Sequence, residues 1–385
     1  MHIVFVGCSG VPRMGTAADT RLAFFANMLS RNNSVTIVNR YSSIKQLNKG
    51  NIDLENNIKV VDVIKSRESN VFFTRLLLLL SFIIEPIYLL NINKKTQIDI
   101  LHVYSGHFLD IISYWLLSRL IGAKVVYQYV EYRSKVERAG FYHKLNGYLC
   151  DFHGAKFWDG AIPISNFLQK KAAEINKGLK QLKVNPLCDF SLFDNNKSVP
   201  NSRQPYLLFC GSVGYKQPIQ LIINSYDNSL IKNSHKLVLI LSGSSAEIQQ
   251  IRKRHPEYII KCKIPYSDLI AYYKNASVLL IPLRDTIQDI ARFPNKICEY
   301  VAAHGAILTT NFGEIPYYFK DGDNAIVAED FSINCFTEKM DEIEKGYYDL
   351  DKIRDNAYIL GKAFFSIESF QTKLSEFLEN VRAGN

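Results

Sequence analysis

The feature that most constrains this chain is a rhythm that runs through it twice: short apolar, β-branched runs separated by stretches with helical spacing. In the first half the runs are 2–7 (HIVFVG), 35–40 (VTIVNR), 58–64 (IKVVDVI), 99–104 (DILHVY), 124–130 (KVVYQYV) and 160–165 (GAIPIS), with helix-like segments such as 19–30 and 109–120 between them. Strands that are apolar nearly throughout and are joined by helices form parallel βαβ units covered on both faces. The rhythm restarts at 205–212 (PYLLFCGS) and continues through 236–243, 258–264, 276–283, 305–311 and 324–329. The polar stretch 194–204 between the halves has no apolar periodicity.

The expected architecture is therefore α/β, with two doubly wound, Rossmann-like domains facing across a cleft and ligands at the carboxyl ends of the strands. We expect an N-terminal domain over 1–195 and a C-terminal domain over 205–362. A final helix over 363–385 would pack back toward the first domain, with Phe370, Leu374, Phe377, Leu378 and Val381 on one face. A chain of 385 residues is too long for one ordinary domain.

Composition narrows the setting. The seven cysteines are scattered without a CxxC pair, which argues against a disulfide framework and a structural zinc and for a reducing cytoplasm. The start, MHIVFVG, lacks a basic region and a long apolar run, so it reads as a strand entering a glycine-rich loop rather than a signal peptide. Residues 71–90 (VFFTRLLLLLSFIIEPIYLL) are the one membrane-like segment, but Arg75, Glu85 and Pro86 bound an apolar stretch too short to span a bilayer. It reads as a buried helix or as a surface that dips into headgroups. Residues 1–200 carry 25 Lys and Arg against 15 Asp and Glu, while the remainder is nearly balanced. A basic half beside an apolar segment fits an anionic membrane surface or an anionic acceptor. Nucleic acid is not expected, because no recognised binding motif accompanies the charge.

The candidate chemistry lies in loops that follow strands. The first, Gly7 to Thr16, has glycines that permit close backbone approach ahead of a helix whose free N–H groups face an anion. The second half repeats the device at Gly211-Ser212-Val213-Gly214-Tyr215-Lys216, which makes Lys216 a candidate phosphate clamp. In the segment 291–310 a helix starting after Pro294 aims N–H groups at an anion, with Arg292 and Lys296 adding charge at the same end. Glu299, one turn further in, is placed to accept hydroxyl groups of a ribose.

These residues resemble glycosyltransferase family 4, the retaining, nucleotide-sugar-dependent enzymes of the GT-B fold. The resemblance rests on the early glycine loop, YQYVEYRS (127–134), IPISNFLQK (162–170), VNPLCDFSLF (184–193), GSVGYKQP (211–218) and, above all, residues 292–329. It implies that Gly15 and Thr16 lie beneath the reacting phosphate, that Gly211 and Lys216 hold the donor diphosphate, and that Asn295, Lys296 and Ile297 touch donor sugar and phosphate. Glu299 matches the second Glu of the family's E-x7-E motif, and the uridine or guanosine ring would lie near 261–266. Three positions depart from the pattern. The first Glu of E-x7-E falls on Ala291, the usual arginine of the second glycine loop on Ser212, and the usual histidine after the fifth strand on Val130. Glu131, Glu137 or His107 would then take over contacts to sugar or acceptor.

The resemblance implies front-face transfer with retention, from a UDP- or GDP-linked sugar to a growing, lipid-linked surface glycan such as capsule or lipopolysaccharide. Lys216, Lys296 and Glu131 are the expected catalytic side chains. Arg292 and helix-terminal N–H groups would assist the leaving diphosphate. No metal is expected: the two D-x-D matches, at 321–323 and 349–351, and the His102/His107 pair read as turn, helix and cleft residues. The location would be cytoplasmic, peripheral on the inner face of the membrane. The alternatives are a GT-B protein that binds nucleotide without transfer and serves as a partner subunit, or a sugar-nucleotide epimerase.

Overall fold

In the computed structural model the described residues are 1–11, 17–41, 54–64, 71–136, 140–196 and 204–384, with backbone alone at 17, 41 and 71–79. The chain divides into two compact units. One is Met1–Asn185 with Ile367–Asn385, the other Pro186–Ser366. The expected boundary stretch 194–204 falls mostly, at 197–203, outside the described residues.

The first unit runs β1 (His2–Cys8), α1 (Ala17–Ser30), β2 (Ser34–Tyr41), β3 (Lys59–Ile64), α2 (Val71–Lys95), β4 (Ile100–Val103), α3 (Phe108–Ile121), β5 (Lys124–Tyr129), α4 (Phe141–His153), β6 (Gly160–Pro163), α5 (Asn166–Ile175) and β7 (Lys180–Gln181). The seven strands are parallel, in the order β3-β2-β1-β4-β5-β6-β7. Ile3, Val4, Phe5 and Val6 are wholly buried, as a strand covered on both faces requires. The order reverses between β1 and β4, so the loops after these strands open at the switch point where α/β sheets bind ligands. Right-handed crossovers put α2, α3 and α4, which lead steadily from β3 to β6, on one face of the sheet. Consistent with this, α3 packs against both α2 and α4.

The second unit contains α6 (Phe190–Asp194), β8 (Tyr206–Ser212), α7 (Lys216–Asn228), β9 (Lys236–Ser242), α8 (Ser245–Arg254), β10 (Ile259–Lys261), α9 (Tyr266–Asn275), β11 (Val278–Ile281), α10 (Ile287–Ala291), α11 (Asn295–Ala302), β12 (Ile307–Thr310), α12 (Ile315–Tyr318), β13 (Ile326–Ala328), α13 (Ile333–Glu344) and α14 (Leu350–Phe364). Its six parallel strands run β10-β9-β8-β11-β12-β13, with the switch point between β8 and β11. Leu207, Phe209, Leu239, Leu280 and Leu308 anchor a core that extends to Phe336 and Met340 of α13.

The last helix, α15 (Glu368–Ala383), belongs to the first unit, where it buries Phe370, Leu374, Phe377, Leu378 and Val381 and lies against α1. The helical stretch read from residue 363 is interrupted. Phe365 is fully buried beside Phe293; its N–H closes the last turn of α14 on the Gly361 carbonyl at 2.8 Å, but its carbonyl accepts the Cys188 N–H at 2.9 Å in place of a following helical N–H. The apolar segment 71–90 lies in α2, which contains Pro86. Among the described residues no helix is long and apolar enough to cross a membrane.

Candidate functional site

In the second unit the loops at the carboxyl edge carry the candidate side chains. After β8 the chain turns through Val213 and Gly214: the Val213 N–H reaches the Ser242 carbonyl at 2.8 Å, and the Gly214 N–H reaches Ser212 Oγ at 3.2 Å. Gly211 is constrained by its neighbour, since a Cβ there would stand 2.7 Å from the Phe209 ring. Ser212, at the position of the usual arginine, thus serves the turn.

Lys216 is the first residue of α7. Its ammonium lies 3.0 Å from Glu247, with the two side chains 53% and 40% exposed. A pair this open contributes roughly 0–1 kcal/mol, so an anion arriving at the start of α7 would displace Glu247 at little cost. Glu247 was not singled out from sequence, although Ser244-x-x-Glu247 has the capping-box spacing and Ser244 does cap α8.

A tighter group forms at α11. Lys296 Nζ donates to Glu299 Oε2 at 2.7 Å across one turn and lies 5.6 Å from the centre of the Tyr273 ring. Both side chains keep partial exposure, 31% for Lys296 and 17% for Glu299. Burial pulls the Lys296 ammonium down, but the adjacent Glu299 carboxylate more than reverses this and leaves it raised. Burial and then the Glu299 charge also raise the Tyr266 phenol, which ties the expected base segment 261–266 to the expected ribose residue. Behind this group the Cys210 N–H, at the end of β8, donates to Tyr300 Oη at 3.1 Å.

The other expected residues of this region divide by depth. Asn295 opens α11 half-buried, and Arg292, also half-buried, ends α10 with its N–H on the Asp289 carbonyl. Ile297 is fully buried and its N–H is bonded to the Pro294 carbonyl, so its side chain packs the core. Ala291, where the first Glu of the motif would stand, is also fully buried.

The sequence reading passed over a buried pair here. Arg284, just after β11, binds Asp289 through Nε and Nη2 at 2.8 and 2.9 Å, and Asp289 also accepts the Arg284 N–H at 3.1 Å. Arg284 Nη1 reaches Gln217 of α7 at 3.1 Å, which fastens the start of α7 to the loop after β11. The only available signal was an arginine following an apolar strand.

In the first unit, Gly15, Thr16 and Glu137 lie outside the described residues. Gly7 has φ of +74°, and a Cβ on it would be 2.8 Å from Ser105 Cβ, so the loops after β1 and β4 meet at a glycine. Glu131 is half-buried after β5, 3.7 Å from Arg133. His107 precedes α3, and burial lowers its pKa. His102 is wholly buried and stacked on Phe5. Of the D-x-D residues, Asp321 accepts the Val327 N–H and the Lys339 ammonium, each at 2.8 Å, and Asp349 caps α14. Among the described residues no His, Cys, Asp and Glu group has the makings of a metal site.

Residues 191–359 match the family model for glycosyl transferases group 1. No curated protein matches. Among solved structures, sucrose-phosphate synthase from Thermosynechococcus elongatus is 12% identical over 100% of both chains, with a TM-score of 0.76. Anabaena HepE in complex with UDP-glucose is 12% identical over 99% of this chain and 100% of its own, with a TM-score of 0.70. The lipopolysaccharide outer core galactosyltransferase WaaB is 13% identical over 99% of each chain, with a TM-score of 0.64. The two parallel-sheet units are those of the GT-B fold.

Proposed function

We infer that this chain, whose residues 191–359 carry the group 1 glycosyl transferase match, transfers a sugar from a nucleotide diphosphate donor with retention at the anomeric carbon. The observation that carries the reading is the Lys296–Glu299 pair at the first turn of α11. A nucleotide diphosphate offers each member of that pair a better partner. The ribose diol donates to the Glu299 carboxylate, and the diphosphate draws the Lys296 ammonium. HepE was solved with UDP-glucose, which supports a donor of this class.

In transfer, the bond from the anomeric carbon to the diphosphate oxygen breaks while an acceptor hydroxyl oxygen bonds to that carbon from the same face. The hydroxyl proton passes to the departing phosphate oxygen. Charge builds on the diphosphate, and Lys216, Lys296, Arg292 and the N–H groups at the starts of α7 and α11 stabilise it. Glu131 of the first unit is assigned to contacts with sugar or acceptor, and Gly15 and Thr16 to the loop beneath the reacting phosphate. None of these steps draws on a metal. The acceptor is a lipid-linked surface glycan at the inner face of the membrane; the likeness to a lipopolysaccharide galactosyltransferase and the basic first half support this.

The test is a thermal-shift titration with UDP and GDP in EDTA, repeated on Lys216→Ala and Glu299→Ala. Nucleotide at about 100 times its Kd adds roughly 2.7 kcal/mol, a rise of several degrees that both variants should lack. Absence of any shift in the parent protein refutes the donor site. Ala291, Ser212 and Val130 favour a second reading, nucleotide binding without transfer. A nucleotide shift with no donor turnover on any lipid-linked acceptor would select it.

A further inference from the structure

Among the described residues of the first unit, the large apolar side chains left exposed are, apart from Val60, all on α2, α3 and α4. On α4 they form a stripe at helical spacing: Phe141, Leu145, Tyr148 and Phe152, with Phe141 85% exposed. Leu109, Leu116 and Leu120 repeat the pattern along α3. On α2, Ile83 and Ile87, one turn apart, are 63% and 54% exposed. The three helices share one face of the sheet, so the stripes lie side by side.

Poor packing does not account for this exposure. The inner side of α4 is firmly seated: Asp151 accepts the N–H groups of Arg133 and Ser134 at 3.2 and 2.7 Å. Gly147 lies so close to that backbone that a Cβ would come within 2.7 Å of it. Tyr114 and Asp110 of α3 and Glu85 of α2 are buried around Arg40, which binds both carboxylates. Each helix therefore has a satisfied inner face and a separate apolar outer face.

The distribution of charge identifies the occupant. The described acidic residues of the three helices, Glu85, Asp110 and Asp151, are all buried. Among the described side chains their exposed charged residues are Lys94, Lys95, Arg119 and Lys144, all basic, with Arg119 also paired to Asp159. A second copy of the chain on this face would set basic residues against basic residues. Exposed leucine, phenylalanine and tyrosine, accompanied by lysine and arginine and by no exposed carboxylate among the described residues of these helices, suit a bilayer with anionic headgroups. There the apolar stems enter the acyl boundary and the ammonium groups remain among the phosphates.

We propose that the outer surface of α2, α3 and α4 docks on an anionic lipid bilayer, with the Phe141 to Phe152 stripe of α4 inserted among the headgroups. The inference rests on the membrane location in the reading above and names the surface responsible. It is independent of the nucleotide site.

The experiment is co-sedimentation of the full chain with vesicles of phosphatidylcholine alone, or of phosphatidylcholine and phosphatidylglycerol in equal amounts. It compares the parent with Phe141→Ser/Tyr148→Ser and with Lys144→Gln. The parent should bind the anionic vesicles, with binding weakened by salt. The double variant should lose at least about tenfold in partitioning and Lys144→Gln about fivefold, with melting temperature and UDP- or GDP-induced shift unchanged in both. If the parent stays in the supernatant, or the double variant binds as the parent does, the proposal is overturned. Concentration-dependent dimerisation that the variants abolish, without vesicle binding, would overturn it in favour of a second copy. Failure of the nucleotide shift alone would count against the donor site and leave the docking surface standing.

Discussion

Acidification tests the buried centre of the first unit. His102 is wholly enclosed on β4, stacked on Phe5 with ring centres 4.6 Å apart, and its Nε2 faces Gln128 Nε2 at 2.9 Å. Gln128 cannot turn round, because its Oε1 accepts from Arg21 Nε at 3.2 Å. The amide nitrogen therefore donates, His102 Nε2 accepts, and the imidazole is neutral with its proton on Nδ1. Burial, and then the Arg21 charge, lower its pKa from 6.5 to about 3. A base whose pKa is depressed by folding binds protons better when unfolded. Its contribution is thus complete above the unfolded value and is lost as pH falls toward the folded one. Between pH 7 and pH 5 the loss from this one group is about 2 kcal/mol, or roughly 4–8 °C in melting temperature for a unit of this size. Urea unfolding at the two pH values, on the parent and on His102→Gln, measures it. The variant keeps an acceptor for Gln128 and should lose about 2 kcal/mol less than the parent over that interval. Equal losses in both proteins would refute the argument that His102 is held neutral.

Two further outcomes follow from packing in the second unit. Asp289→Asn leaves the Arg284 guanidinium buried without its charge partner and should cost about 3 kcal/mol in urea unfolding, whereas Arg284→Met/Asp289→Leu should recover most of that; a loss below about 1 kcal/mol in the single variant would show the pair to be dispensable. Gly361→Ala in α14 improves helix propensity by about 1 kcal/mol, yet the new methyl would stand 2.2 Å from Val301 Cγ1 and 2.9 Å from Phe190 Cζ. Overpacking should win, with a net fall in melting temperature, and a rise would mean that the α11–α14 contact yields easily.

Much of the fold was legible because its signals are local. Apolar runs such as 2–7 and 205–212 became β1 and β8 since a strand buried on both faces has no room for polar residues. The ion pair at α11 was implicit in the spacing of Lys296 and Glu299, one helical turn apart. Contacts between distant segments were not legible. Nothing near Lys216 marks Glu247, 31 residues on, and nothing near Arg21 marks Gln128 or His102, because the sheet order that joins them is set by the whole pattern of strands.

What the sequence determined by itself was the alternation of elements and the two-unit plan. Periodicity and loop composition depend only on neighbours along the chain. Tertiary structure alone decided which apolar stripe became core and which became surface. Leu374, Phe377 and Val381 of α15 and Phe141, Leu145 and Tyr148 of α4 each recur at steps of three and four residues, yet the first set is buried and the second exposed. A helix specifies that it has an apolar face, and only its neighbours decide whether anything covers it.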